Sequence, residues 1–345
     1  MNPWEIATDY IGCEQNKDWK KFHTWVSENT GKHYLDLWFS NARANRARLK
    51  DYGWACDAFQ GKYKRKAAIM LGASPAIRKQ LDKLRELQND NDFVLIGITS
   101  GLEFMVENGI RPKYVMIADA DPKMARFWDK LDPEATKDST LIASVCTHPD
   151  MLDKWKGDIK FICIFTDNDK LNKKLLKWYG NINGTGHFFH AISSQYNTGA
   201  AFAMLVFETQ ILIFVGQECG FKDNNVGYYP DREDHKDKQI RAPHIDIYGN
   251  VYYTNHSLFS LKQTLEDFLG KISGAGWYFN ATEAGIFGVS KRYGNLPWIK
   301  QLTLDMAVRQ AKSIIYTGEP IYGIESVLKP TLSETLQYGV SNLSY

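Results

Sequence analysis

The chain has 345 residues, 44% of them hydrophobic and 13% aromatic, which suits one large domain with extensions or two modest ones. A formal net charge of +2 does not by itself demand nucleic acid or an anionic membrane surface as a partner. No apolar run approaches the roughly 18 residues of a membrane helix, so no membrane span is expected.

The opening Met1-Asn2-Pro3-Trp4-Glu5 lacks the basic start and apolar core of a secretion signal, and the expected location is cytoplasmic. Five scattered cysteines (Cys13, Cys56, Cys146, Cys163, Cys219) form no CxxC pair, which reads as reduced thiols rather than a zinc site.

Residues 1–65 hold five tryptophans (Trp4, Trp19, Trp25, Trp38, Trp54) in a mostly helical periodicity. They read as a helical N-terminal extension packed on the main domain. Two basic stretches lie in it or at its end, one around Arg43, Arg46, Arg48 and Lys50, the other at Lys62–Lys66. Each is either a solvated face or a patch for an acceptor, nucleic acid included.

From residue 66 the pattern alternates. Apolar runs at 67–71, 93–98, 114–118, 140–145, 159–165 and 211–215 predict strands. Amphipathic stretches at 75–89, 100–108, 122–130, 169–178 and 199–208 predict helices. Continuous apolar strands separated by helices predict an α/β fold, a mostly parallel sheet covered on both faces. Ligands of such sheets bind beyond the carboxyl ends of the strands, here Gly72–Ser74, Thr99–Ser100, Asp119–Asp121 and Gly216–Glu218.

Residues 220–256 are polar and irregular and read as a lid over that rim. A helix follows at about 257–270, then Trp277–Phe279 runs into a Gly-rich turn. The last clear helix spans about 301–315. The division expected is therefore 1–65, 66–290 and 291–345, the last a helical C-terminal extension and tail.

Chemistry concentrates on the rim. Gly72-Ala73-Ser74-Pro75 offers backbone N–H groups at a helix start to a phosphate or ribose, or is an ordinary strand–helix turn. Asp119 and Asp121, two apart at a strand end, suit Mg²⁺ or Mn²⁺ bridging to a diphosphate, a ribose or acceptor contact, or a cap for the turn at Pro122. Asn197-Thr198-Gly199 reads as a helix cap that also contacts a nucleotide. Gln217 and Glu218 end a strand at the rim, and Glu218 is placed to bind an acceptor hydroxyl.

In order, Gly72-Ala73-Ser74-Pro75, Gly109-Ile110-Arg111-Pro112-Lys113-Tyr114, Asp119-Ala120-Asp121-Pro122, Asn197-Thr198-Gly199-Ala200, Gly216-Gln217-Glu218 and Asn280-Ala281-Thr282-Glu283-Ala284-Gly285 resemble the signatures of one family. It is that of the motility accessory factors and the archaeal 6-hydroxymethylpterin diphosphokinase-like Rossmann domains, over about residues 66–290. The core is also similar to the bacterial lipooligosaccharide sialyltransferases. That likeness implies a Rossmann-like fold and a nucleotide-sugar donor held by 72–76 and 197–199. It further implies a lid tyrosine (Tyr228, or its neighbour Tyr229) at the leaving phosphate and His256, in Asn255-His256-Ser257, as general base. His244 and Arg241 are secondary candidates.

The chain departs from the sialyltransferase pattern at Ala73, Ser74 and Asp121, which argues for a donor other than CMP-sialic acid. The expected function is a glycosyltransferase. The alternatives are a Mg²⁺-dependent diphosphokinase using ATP and a non-catalytic nucleotide-binding scaffold.

Overall fold

The computed structural model describes residues 33–165, 168–180, 188–190, 194–223, 227, 241–290 and 294–321. The six apolar runs are strands β1 (Ala67–Leu71), β2 (Phe93–Ile98), β3 (Tyr114–Ile117), β4 (Thr140–Ser144), β5 (Ile159–Phe165) and, after a short β6 (Phe188–His190), β7 (Ile211–Val215). A hairpin follows, β8 (Ala242–Ile245) with β9 (Val251–Thr254), then β10 (Trp277–Asn280). A two-stranded ribbon, β11 (Val289–Ser290) and β12 (Gly294–Asn295), precedes β13 (Lys300–Gln301). Among the described residues nine strands make one sheet, ordered β13-β10-β7-β1-β2-β3-β4-β5-β6. Every neighbouring pair in it is parallel.

Both faces of the sheet are covered, which is why its central strands are apolar at every position. Successive residues point to opposite faces. Ala67, Ile69 and Leu71 pack with α4 (Leu81–Leu87) and α10 (Leu304–Thr317), through Leu84, Leu87, Ala307, Ala311 and Ile314. Ala68 and Met70 pack on the other face with α8 (Gln195–Leu205) and α9 (His256–Lys271), through Ala200, Ala203, Leu265 and Leu269. At the far strands, residues 33–45 form α1, and Ala42, Leu49 and Trp54 join Leu141 and Phe161 in a further core. The described part of the N-terminal stretch, from residue 33, thus packs on the sheet; Trp4, Trp19 and Trp25 lie outside the described residues.

Several elements differ from the sequence reading. The segment 75–89 starts as a 3-10 turn, Pro75–Gln80, before α4, and 122–130 is the 3-10 turn Pro122–Trp128. Helix α8 begins at Gln195, four residues earlier than expected, because the Ser194 hydroxyl accepts the Asn197 N–H at 3.1 Å and caps it. The irregular 220–256 contains the antiparallel β8–β9 hairpin, closed by Asp246, whose carboxylate accepts the Tyr248 and Asn250 N–H groups at 2.9 and 2.8 Å. Residues 300–317, grouped with a C-terminal extension, supply the edge strand β13 and the core helix α10. Tyr228, Tyr229 and the tail beyond residue 321 lie outside the described residues.

Candidate nucleotide site at the strand carboxyl ends

The chain builds β2 to β6 outward on one side of β1 and then returns to lay β7 on its other side. Strands β1 and β7 therefore flank the point where strand order reverses, the place at which open parallel sheets leave a crevice. Their carboxyl ends meet closely. The Gly72 N–H donates to Val215 O at 2.8 Å and the Ser74 N–H to Gly216 O at 3.2 Å. A Cβ on Gly72 would fall 2.1 Å from Gly216 O, and Gly216 itself sits at φ +68°, so both positions require glycine. Ala73 and Ser74 are buried in this junction, and α5 (Thr99–Glu107) presses on it through Gly101.

Glu218 turns back into the same junction. Its Oε1 accepts the Ala76 N–H at 2.7 Å, and its Oε2 accepts the Tyr252 hydroxyl from β9. Burial pushes the Glu218 carboxyl pKa up, against the pull of those two donors. A carboxylate of the protein thus takes one of the N–H groups at the turn that the sequence reading assigns to a ligand. Gln217 is buried beside it, and its N–H donates to the Thr282 hydroxyl at 3.1 Å. Gly285, at φ +80°, passes so close to Glu218 that a Cβ would lie 2.2 Å from its carbonyl oxygen. The first, fifth and sixth motifs are therefore one packed unit.

A second polar group lies beyond β2 and β3. The Thr99 hydroxyl donates to Gln195 Oε1 at 2.7 Å, and Gln195 Nε2 donates to the Asp119 carboxylate. Burial pushes the Asp119 pKa up to about 6; Gln195 opposes the shift and the neighbouring Asp121 adds to it. Asp121 caps the Pro122 turn by accepting the Lys123 N–H at 2.9 Å. Ser100 is half-buried in the first turn of α5. From α1, Asn41 Nδ2 reaches the carbonyls of Ala120 and Cys146 at 3.0 and 3.1 Å, and Asn45 Nδ2 those of Val145 and Thr147 at 2.9 and 2.7 Å. These two asparagines clamp the ends of β3 and β4.

Asn197, Thr198 and Gly199 lie in the opening turns of α8, over the same strand ends, rather than ahead of the helix. A Cβ on Gly199 would meet Met70 and Met116 at 2.8 and 3.0 Å, so this glycine lets the helix settle on the sheet. Asn197 is fully buried; its Nδ2 donates to Leu261 O at 2.9 Å, while its Oδ1 has no hydrogen-bond partner. Such an acceptor is costly to leave unpaired.

His256 is the first residue of α9 and is half-buried. Asn255 before it caps the helix by accepting the Leu258 N–H at 2.9 Å. The Thr254 hydroxyl, donating to Cys219 O at 2.9 Å, ties this entry to the loop after β7. His244 is buried with Nδ1 2.8 Å from the backbone of Ile245. Arg241 lies 3.5 Å from the centroid of the Phe221 ring and donates to Asp223 O at 3.1 Å. Both support the hairpin.

Sequence reasoning passed over Gln195, Tyr252, Asn41 and Asn45. Each acts across about 34 to 105 residues of chain, so no local pattern marks it. Cys56, Cys146, Cys163 and Cys219 are free, buried thiols, and burial raises each pKa. Among the described residues no three His, Cys, Asp or Glu side chains converge on one point, and no helix is long and apolar enough to cross a membrane. The basic stretches do not form one track. That at 43–50 overlies the carboxyl ends of the strands, with Arg48 paired to Asp153 at 2.5 Å. Lys62–Lys66 leads into the start of β1, at the opposite edge, with Lys64 paired to Glu208 at 3.2 Å.

One solved structure with this fold is that of the MAf glycosyltransferase from Magnetospirillum magneticum AMB-1, at a TM-score of 0.56 and 15% identity. The match covers 91% of this chain and 50% of that one, so the chain spans about half the length of that protein. No curated protein sequence matches. The sequence profile of the 6-hydroxymethylpterin diphosphokinase MptE-like family matches residues 41–224, from the α1 clamp through the loop after β7, and the chain belongs to that family.

Proposed function

We propose that the protein is a transferase that moves a sugar from a nucleotide-activated donor to an acceptor, with the donor lying in the crevice between β1 and β7. The observation that carries this reading is the polar edge beyond β2 and β3, Thr99, Gln195 and Asp119 in one hydrogen-bonded chain, which adjoins the Gly72–Gly216 junction through the first turn of α5. Asn197, Thr198 and Gly199, in the opening turns of α8, lie over the same strand ends. A fold shared with a glycosyltransferase supports the reading at the level of architecture. In it, Ser74, Ser100, Thr198 and the Gly72 turn border the nucleotide, and Asp121 meets a ribose or acceptor hydroxyl. His256 takes the acceptor proton as the new bond forms, while Tyr228 donates to the leaving phosphate.

One feature favours a second reading. Asp119 and Asp121 share a loop, and two carboxylates with substrate phosphates are enough to hold Mg²⁺ for pyrophosphate transfer from ATP. The family's description points the same way. Release of free nucleotide from CMP-, UDP- and GDP-sugars separates the two. The first reading expects turnover of one donor class, lost in His256→Ala with donor binding retained. Inert sugar donors together with Mg²⁺-dependent formation of AMP from ATP contradict it and establish the second.

A further inference from the structure

A cleft of about 340 Å³ opens at the other edge of the sheet, where the strands begin. It lies under the starts of β7, β10 and β13, one strand length or about 15 Å from the crevice. Its walls are Trp277, Trp298, Lys300, Gln210 and the Ser273–Gly276 turn. Nothing in the proposed transfer chemistry uses it.

The cleft is shaped by residues that hold it open. Trp298 rests against Gly270 of α9, where a Cβ would come within 3.2 to 3.6 Å of three ring atoms, so the indole is fixed in place. Gly276 passes so near Gln210 that a Cβ would lie 2.7 Å from its carbonyl oxygen. The Trp277 N–H donates to that same carbonyl at 2.7 Å, which sets the angle at which β10 enters the sheet. Lys300 Nζ stands 5.5 Å from the Trp277 ring centroid and brings a positive charge to the aromatic wall. A Cβ on Gly274 would meet nothing within 4 Å, so the turn that forms the rim leaves space beside it.

Two half-buried indoles with a rim of amide, hydroxyl and ammonium groups match one ligand chemistry well. A pyranose ring presents a face of C–H groups to an indole and a girdle of hydroxyls to polar partners around it. Its volume is also within what the cleft takes. The ammonium beside the stacking wall adds a preference for a sugar that carries a carboxylate.

We propose that this cleft binds a saccharide unit, favouring an acidic one, as a docking site separate from the transfer crevice. The site holds glycan by stacking on Trp277 and Trp298 and by the charge of Lys300. It requires no turnover, so it stands or falls apart from the reaction assigned to the crevice.

The test is tryptophan fluorescence and calorimetry on the full chain, without donor, using tetragalacturonate, chitotetraose and uridine as probes. Tetragalacturonate is expected to bind more tightly than chitotetraose. Trp277→Ala is expected to weaken both by about tenfold or more, and Lys300→Gln to abolish the preference for the acidic probe. Unfolding curves of both variants keep a folding defect distinguishable from a binding one, and Lys300→Gln, at an edge strand, leaves the core intact. Absence of binding by either saccharide, binding that both variants leave unchanged, or displacement by uridine overturns the proposal.

Discussion

At the scale of single residues, the carboxyl ends of β1 and β7 are governed by how closely two backbones pass. Gly72→Ala places a methyl 2.1 Å from Gly216 O with only backbone to give way, and the expected cost is about 2–4 kcal/mol in urea unfolding. An unchanged midpoint contradicts the close approach. Asp119 offers a test with a sign. Its folded pKa is raised from 3.8 to about 6, so the folded state holds the proton more tightly than the unfolded chain. Stability tied to this group is fully present below pH 4 and is lost as pH rises through 6, by about 3 kcal/mol. Asp119→Asn is therefore expected to be more stable than the parent at pH 8 and equal to it near pH 3.5; parallel curves at all pH values contradict the assignment. Of these residues, Gly72 and Asp119 were legible, since a glycine or acid closing an apolar run marks a strand end. Their environment was not, because Gln195 and Asp121 act on Asp119 from different distances along the chain, and only folding makes the former a neighbour.

At the scale of elements, Glu218 joins three parts: the loop after β7, the turn at Pro75 and the β8–β9 hairpin. Tyr252→Phe removes one donor from a buried carboxylate, at an expected cost of about 1–3 kcal/mol near pH 8. Burial raises the Glu218 pKa while the Tyr252 hydroxyl favours its charged form, so the cost is expected to fall as pH is lowered; a cost that does not vary with pH contradicts the charge at this joint. Ser194→Ala removes the cap of α8, expected to cost about 1 kcal/mol. In the proposed site it also weakens nucleotide binding, because Gln195 and Asn197 lie in the turn it fixes. In sequence the start of α8 reads as Gly199, because Asn197 and Thr198 look like caps, yet Ser194 is the residue that accepts the N–H. Residues 220–256 read as irregular in sequence because Ala242–Ile245 and Val251–Thr254 are only four residues each, too short to show a period.

At the scale of the whole molecule, the sheet was legible in its six longest runs because strands buried on both faces are continuously apolar. Strands β10 and β13 were not, since Trp277–Asn280 and the two-residue Lys300–Gln301 carry no such run. They nevertheless extend the sheet beside β7, and α10 covers Ile69, Leu71, Ile213 and Val215. The segment matching the family profile, 41–224, lacks β10, β13 and α10. Produced alone, it is expected to expose that face and to show no cooperative unfolding, whereas 33–321 unfolds cooperatively; a stable 41–224 fragment contradicts the packing described. The β1–β7 crevice is proposed to hold a nucleotide. Calorimetric titration of CMP, UDP, GDP and ATP, with and without Mg²⁺, against the parent chain and Asp119→Asn tests it most directly. Saturable binding of one pyrimidine or guanosine nucleotide is expected, weakened about tenfold by the substitution. Binding of none of the four, or binding that Asp119→Asn leaves untouched, contradicts it.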